Sequence, residues 1–154
     1  MHNREKFYAS SECNNSQFFE NLAQNIQGDY LIYSPCTAPL IKPETYIDFI
    51  NRFSVAKKDH DSMNTINYVK EHMWLKNKPL NYNPSEAPNT QDLPNIIKLT
   101  YGINILSRNN MIKYKNCVGK NPMFYDLDPI ESVDVDTPVD FEFAQFLFNK
   151  YKYN

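Results

Sequence analysis

Between residues 16 and 27 the apolar side chains Phe18, Phe19, Leu22, Ala23 and Ile26 recur at helical spacing and share one face. Ser16 is placed to cap the start of that helix and Gly28 to end it. Tyr30-Leu31-Ile32-Tyr33 follows between Gly28-Asp29 and Ser34-Pro35, and this short apolar run has the profile of a strand buried on both faces. After a loop from Ser34 to Lys42, Pro43 takes a first-turn position, and Tyr46, Ile47, Ile50 and Phe53 repeat at helical spacing. Strand, loop and helix make an α/β unit, so a parallel sheet is expected.

From Ser54 the pattern changes. Lys57 to Asp61 form a solvated stretch, and Thr65 to Val69 alternate like a strand. Trp74-Leu75 and Leu80-Tyr82 flank Lys76-Asn77-Lys78-Pro79, which reads as the turn of a hairpin excursion. Asn83 to Pro88 form a loop, Ile96 to Leu106 return to strand character, and Ser107 is placed to cap a short helix through Met111 and Ile112.

Near the C-terminus the chain reads Glu131-Ser132-Val133-Asp134-Val135-Asp136-Thr137-Pro138-Val139-Asp140-Phe141. In an extended strand, side chains alternate, so Val133 and Val135 would face the core while Asp134 and Asp136 project together from the other side. Thr137 then offers an N-cap hydroxyl, Pro138 the first helical position and Asp140 the third, launching a helix that carries Phe141, Ala144 and Phe148. The two carboxylates would lie at a strand's C-terminal end, where open α/β sheets place their ligands. Two readings stay open for them. They suit a hard cation such as Mg²⁺, which accepts one or two protein oxygens and keeps other positions for water and phosphate. Alternatively Asp134 faces solvent and Asp136 helps to cap the helix.

The chain has 154 residues, enough for one domain. It is 42% hydrophobic and 14% aromatic, and its 16 basic against 18 acidic residues give a net charge of -2, which argues against long disorder and against a basic nucleic-acid clamp. No apolar run approaches the roughly 20 residues of a membrane span, and no signal-like stretch opens the chain. Cys13, Cys36 and Cys117 are widely separated, which fits free thiols in a reducing compartment and a cytoplasmic location. The three glycines form neither of the common phosphate-cradling loops.

The stretch from Glu131 to Phe141, followed by Ala144, resembles the end of the acylneuraminate cytidylyltransferase family, whose members carry a hydrophobic-Asp-hydrophobic-Asp-Thr-x-x-Asp pattern. Four further segments resemble that family in the same order. These are Arg4 with Ala9-Ser10, the loop Cys36-Thr37-Ala38-Pro39-Leu40, the turn Gln91-Asp92-Leu93-Pro94, and Gly102 before a strand.

The resemblance implies an α/β fold, a Rossmann-like three-layer nucleotidyltransferase sandwich with a small β-hairpin dimerisation excursion near residues 57–90. It implies transfer of CMP from CTP to a sugar acid with release of pyrophosphate, in surface-glycan precursor synthesis, by a homodimer. By the same resemblance, Asp134 and Asp136 would be catalytic and hold Mg²⁺. Arg4, Ser10, Thr37 and Pro39 would bind nucleotide, and Gln91 and Gly102 substrate. Two other readings stand beside these: Arg4 as a terminal charge, and Thr37-Ala38-Pro39 as a turn.

The departures are informative. Family members begin with a strand and a basic, glycine-containing loop that binds the triphosphate, and nothing in this chain matches it. The expectation is therefore an N-terminally truncated domain, equivalent to the later two thirds, with a separately encoded N-terminal half as a partner. Tyr101 stands where the family has asparagine, and Ile105 replaces an aromatic residue, which points to a sugar acid related to N-acetylneuraminate. Two alternative functions remain: a non-catalytic remnant or binding and dimerisation module, and a glycosyltransferase using D-x-D with a nucleotide-sugar.

Overall fold

The computed structural model describes residues 3–151. A short 3-10 turn at Lys6–Ala9 leads to helix α1, Asn15–Asn25. The cap is Asn14, not Ser16. Its carboxamide accepts from the Gln17 N–H at 2.9 Å, while the Gln17 side chain accepts from the Asn14 N–H at 3.0 Å, so two orphan donors are satisfied reciprocally. Strand β1 is Tyr30–Tyr33, and helix α2, Pro43–Ala56, starts on its proline as expected.

The main sheet has the order β1-β5-β2-β6, with β2 at Ser62–Val69, β5 at Ile96–Ser107 and β6 at Pro122–Asp126. β1 and β2 each pair antiparallel with β5, and β6 runs parallel to β2. The sheet is thus mixed, not wholly parallel. The chain between β2 and β5 supplies no crossover helix, so β5 returns in the opposite direction beside β2. Helix α3, Arg108–Tyr114, follows with Ser107 as its cap, the Ser107 hydroxyl accepting from the Asn110 N–H at 3.2 Å.

Two layers of helix enclose this sheet. α1 and α3 pack on one face through Phe19, Ala23, Leu31, Leu106 and Met111, and α2 packs on the other through Phe49, Phe53, Met63, Ile103 and Ile105. The alternation of Leu106 with Ile103 and Ile105 along β5 divides the two cores. Each such side chain, fully buried, contributes about 1.5–3 kcal/mol.

β1 is an edge strand, and only Leu31 is buried in it; Tyr30 and Ile32 are 43% and 44% exposed. The expectation of burial on both faces fails because β1 has one neighbour among the described strands, and its side chains away from Leu31 meet only part of α2. The excursion is also shorter than residues 57–90, because β2 belongs to the main sheet. Its hairpin pairs β3 (Trp74–Leu75) with β4 (Lys78–Pro79) around Lys76 and Asn77, whose φ angles are 49° and 63°. Two successive left-handed residues match the twist of a tight hairpin, which pulls the turn two residues earlier than Pro79.

Helix α4, Pro138–Tyr151, buries Ala144 and Leu147 against Leu40, Ile130, Val133 and Val135. Val139, Phe141, Phe143, Phe146 and Phe148 on the same helix are 47–72% exposed.

Candidate functional site

β1, β2 and β6 all end at the same edge of the sheet. The loop leaving β1 is fastened there. The Ser34 hydroxyl donates to the Gly102 carbonyl at 2.9 Å and shares a 2.6 Å hydrogen bond with the Tyr46 hydroxyl. Gly102 lets this loop approach β5 closely, since a Cβ there would lie 2.8 Å from Ile41 Cδ1. Farther along, Leu40 is 1% exposed and holds the Thr37–Pro39 turn against α4.

The segment from Ile130 to Asp136 crosses this loop. It is not a strand: residues 129–132 turn on themselves, with the Ser132 N–H donating to the Asp128 carbonyl at 2.9 Å, and beyond the turn the segment makes one backbone bond to the loop, Val135 N–H to the Thr37 carbonyl at 2.8 Å. The expected alternation survives without a ladder. Val133 and Val135 pack into the α4 core, while Asp134 and Asp136 are exposed. Neither carboxylate is in a salt bridge among the described residues. The Asp140 carboxylate pins the end of the segment by accepting from the Thr137 hydroxyl at 2.8 Å and the N–H groups of Thr137 and Asp136 at 2.8 and 3.2 Å. The Thr137 hydroxyl and amide hold the Asp140 carboxyl below its ordinary range.

Tyr33, at the end of β1, packs edge-on against Phe18 and Phe19 of α1, with ring centroids 5.9 and 5.0 Å away. Burial raises its phenol above the ordinary value, the Cys117 thiol adds to the rise and the Arg4 charge opposes it, and Cys36 and Asp134 also act on it. The Arg4 guanidinium sits 5.2 Å from the Phe18 ring centroid. Thr37 and Pro39 lie in the loop after β1, Gly102 is bonded to it through Ser34, and Val135 carries Asp134 and Asp136 beside it, whereas Arg4 lies over Phe18 in a separate hollow along α1 with Asn21, Leu22 and Asn25. Ser10 and Gln91 are engaged elsewhere. Ser10 closes a local turn onto the Phe7 carbonyl at 2.8 Å, and the exposed Gln91 accepts from Lys70 Nζ through its carbonyl at 2.6 Å.

Sequence reasoning passed over the neighbouring cavity. About 680 Å³ opens beside the ends of β2 and β6, between Asn67, Tyr68, Tyr125, Asp126, Asp128 and Glu131. Asp126-Leu127-Asp128 repeats the D-x-D spacing eight residues before Asp134-Val135-Asp136, and this signal was available in the sequence. Burial, with a hydrogen bond to Asp48, pushes Tyr125 up to about 12. The Arg52 guanidinium, 2.9 Å from Asp48, holds that carboxyl low. Glu131 is 4% exposed and meets Lys42.

Among the described residues no group of three or more His, Cys, Asp or Glu side chains is arranged to hold a metal ion. Asp134 and Asp136 are both exposed and two residues apart, so a cation held there would take at most these two side chains and complete its shell with water and phosphate. No helix among the described residues is long and apolar enough to cross a membrane.

No family model matches this chain and no curated protein matches it in sequence. In structure it is similar to the 4-diphosphocytidyl-2C-methyl-D-erythritol synthase of Anaerococcus prevotii, with a TM-score of 0.55 and 10% sequence identity, over 92% of this chain and 68% of that one. At that identity the likeness is one of fold, and the chain has an α/β nucleotidyltransferase-like fold.

Proposed function

We propose that the chain is a CTP-dependent nucleotidyltransferase that transfers CMP to a sugar acid and releases pyrophosphate in the cytoplasm. The observation that carries this reading is the bond from the Val135 N–H to the Thr37 carbonyl, which sets Asp134 and Asp136 beside the loop at the carboxyl edge of the sheet. Open α/β sheets bind ligands at that edge. In the reaction an acceptor hydroxyl attacks the α-phosphorus of CTP, the bond to the β-phosphate oxygen breaks, and the hydroxyl proton passes to solvent or a base.

Asp134 and Asp136 would hold Mg²⁺, which supplies charge neutralisation for the phosphate oxygens when bound. Arg4, whose guanidinium lies over the Phe18 ring that packs on Tyr33, would bring a second positive charge to the nucleotide. The fastened Thr37–Pro39 turn gives the nucleotide a rigid floor, which limits the ordering cost of binding. Incubation with CTP, Mg²⁺ and a panel of sugar acids should release pyrophosphate, and Asp136→Asn should abolish the release. A wild-type chain that neither binds CTP nor releases pyrophosphate, alone or with an added N-terminal triphosphate-binding segment, rules the reading out.

A second reading has its own support. α4 exposes apolar side chains on more than one side, and a helix that is apolar nearly all round is normally covered. β1 also leaves an unpaired edge among the described strands. Both features suit a module completed by another polypeptide, whether a second copy or an N-terminal half. Light scattering on the isolated chain should then show self-association, or a stable complex with a co-expressed N-terminal segment. A soluble monomer that captures neither removes this reading.

A further inference from the structure

We infer that Glu131 is a positioning residue that, through Lys42, anchors the segment carrying Asp134 and Asp136 against the loop after β1; its purpose rests on the nucleotidyltransferase reading. Glu131 is 4% exposed, a level at which a carboxylate needs compensation. Its Oε2 accepts from the backbone N–H of Lys42 at 3.4 Å, and its Oε1 lies 3.7 Å from Lys42 Nζ. Lys42 is the N-cap of α2, so the carboxylate also faces the positive end of a 14-residue helix.

The acidic segment needs such an anchor. It has no strand ladder, and the turn at its near end bonds only to itself, through Ser132 N–H to the Asp128 carbonyl and Val133 N–H to the Ile130 carbonyl, so Glu131 is what ties that turn to the start of α2. Asp140 pins its far end and Val135 its middle, and Glu131 closes the near end three residues before Asp134. An apolar residue could fill the same volume without the cost of burying a charge. What a carboxylate adds is a charge-assisted hold on the Lys42 N–H and ammonium together at the start of α2, stronger than a neutral acceptor makes, and this fixes where the segment crosses the loop.

Glu131→Gln keeps the shape and an acceptor for the Lys42 N–H but removes the charge. In the ligand-free variant, hydrogen exchange at the Val135 amide should quicken by about tenfold or more while the core amide of Ile103 is unchanged. The gain in CTP affinity on adding Mg²⁺, read by calorimetry against a chelator control, should fall by about 10- to 100-fold, as for partners that orient metal ligands. CTP binding without metal should not change, which a general loss of structure would not reproduce.

Lys42→Arg should retain wild-type exchange. If Glu131→Gln does not fold, Lys42→Gln tests the same pair from its half-exposed end, with the same rise in Val135 exchange expected. Unchanged Val135 exchange in the folded variant overturns the proposal, as does an intact Mg²⁺-dependent gain. A wild-type chain that binds no CTP counts against the proposed function alone, and the exchange measurement still decides whether Glu131 is an anchor.

Discussion

Adding one methyl group at Gly102 separates a packing role from a ligand-contact role at that position. A Cβ there would sit 2.8 Å from Ile41 Cδ1, 3.3 Å from Leu127 Cδ2 and 3.4 Å from Thr65 Oγ1, whereas ordinary contact begins at 3.4 Å. Backbone strain does not enter, since Gly102 is not among the residues with positive φ. Thr65 cannot yield: its hydroxyl accepts from the Ile103 N–H at 3.0 Å and from the Thr100 hydroxyl at 2.8 Å. Leu127 is 2% exposed, so it is the end of Ile41, the tip of a flexible side chain, that gives way.

Displacing the tip of one flexible side chain lies at the low end of what overpacking costs, about 1 kcal/mol. At about 3 °C per kcal/mol for a chain of this length, Gly102→Ala should lower Tm by about 3 °C in a thermal unfolding scan. Ile41→Val deletes the clashing Cδ1 and by itself costs about 0.5–1.5 kcal/mol. The double variant should be more stable than the sum of the two by about 1 kcal/mol, a coupling that two independent sites do not show. A Gly102→Ala protein that melts with the wild type, or a strictly additive pair, refutes the reasoning and leaves Gly102 to ligand contact alone.

Arg108 donates to the carbonyls of Ala23, Ile26 and Gln24 at 2.7, 2.9 and 3.2 Å and so closes the C-terminus of α1. Arg108→Ala should destabilise the protein by about 1.5–3 kcal/mol in urea unfolding, the range for hydrogen bonds to a charged group. At Asp61, burial would raise the carboxyl, but the N–H groups of Lys120 and Asn121 and the Ser62 hydroxyl outweigh it and hold it below 3.8. That contribution is present above the unfolded value and is lost as pH falls through the folded one. Stability should therefore drop below about pH 4 in acid titration, less steeply in Asp61→Asn. Among the thiols, burial pushes Cys117 up to about 12 while Cys36 is exposed. A disulfide reagent should label Cys36 in the native protein and Cys117 only on unfolding, and early labelling of Cys117 contradicts the packing.

Local signals in the chain fixed a good part of the architecture. The helical repeats of α1 and α2, the apolar run of β1, the Ser107 cap and the Thr137–Asp140 capping pair all recur in the structure. Each depends on residues within a few positions of one another. The alternation of Val133 and Val135 with Asp134 and Asp136 was legible for the same reason. The resemblance also pointed toward a nucleotidyltransferase-like fold.

What tertiary structure alone decided is everything that needs a partner distant in sequence. Residues 133–136 alternate like a strand, yet a strand exists only where another strand accepts its hydrogen bonds, and here the one such bond goes to the Thr37 carbonyl of a loop. The direction of β5 depends on whether the chain between it and β2 forms a crossover helix or an excursion, which no local period encodes. The burial of Glu131 depends on Lys42, 89 residues away in the chain. Sequence sets the local geometry because short-range sterics and hydrogen bonds are self-contained, whereas pairing, burial and charge environment are properties of the assembled fold.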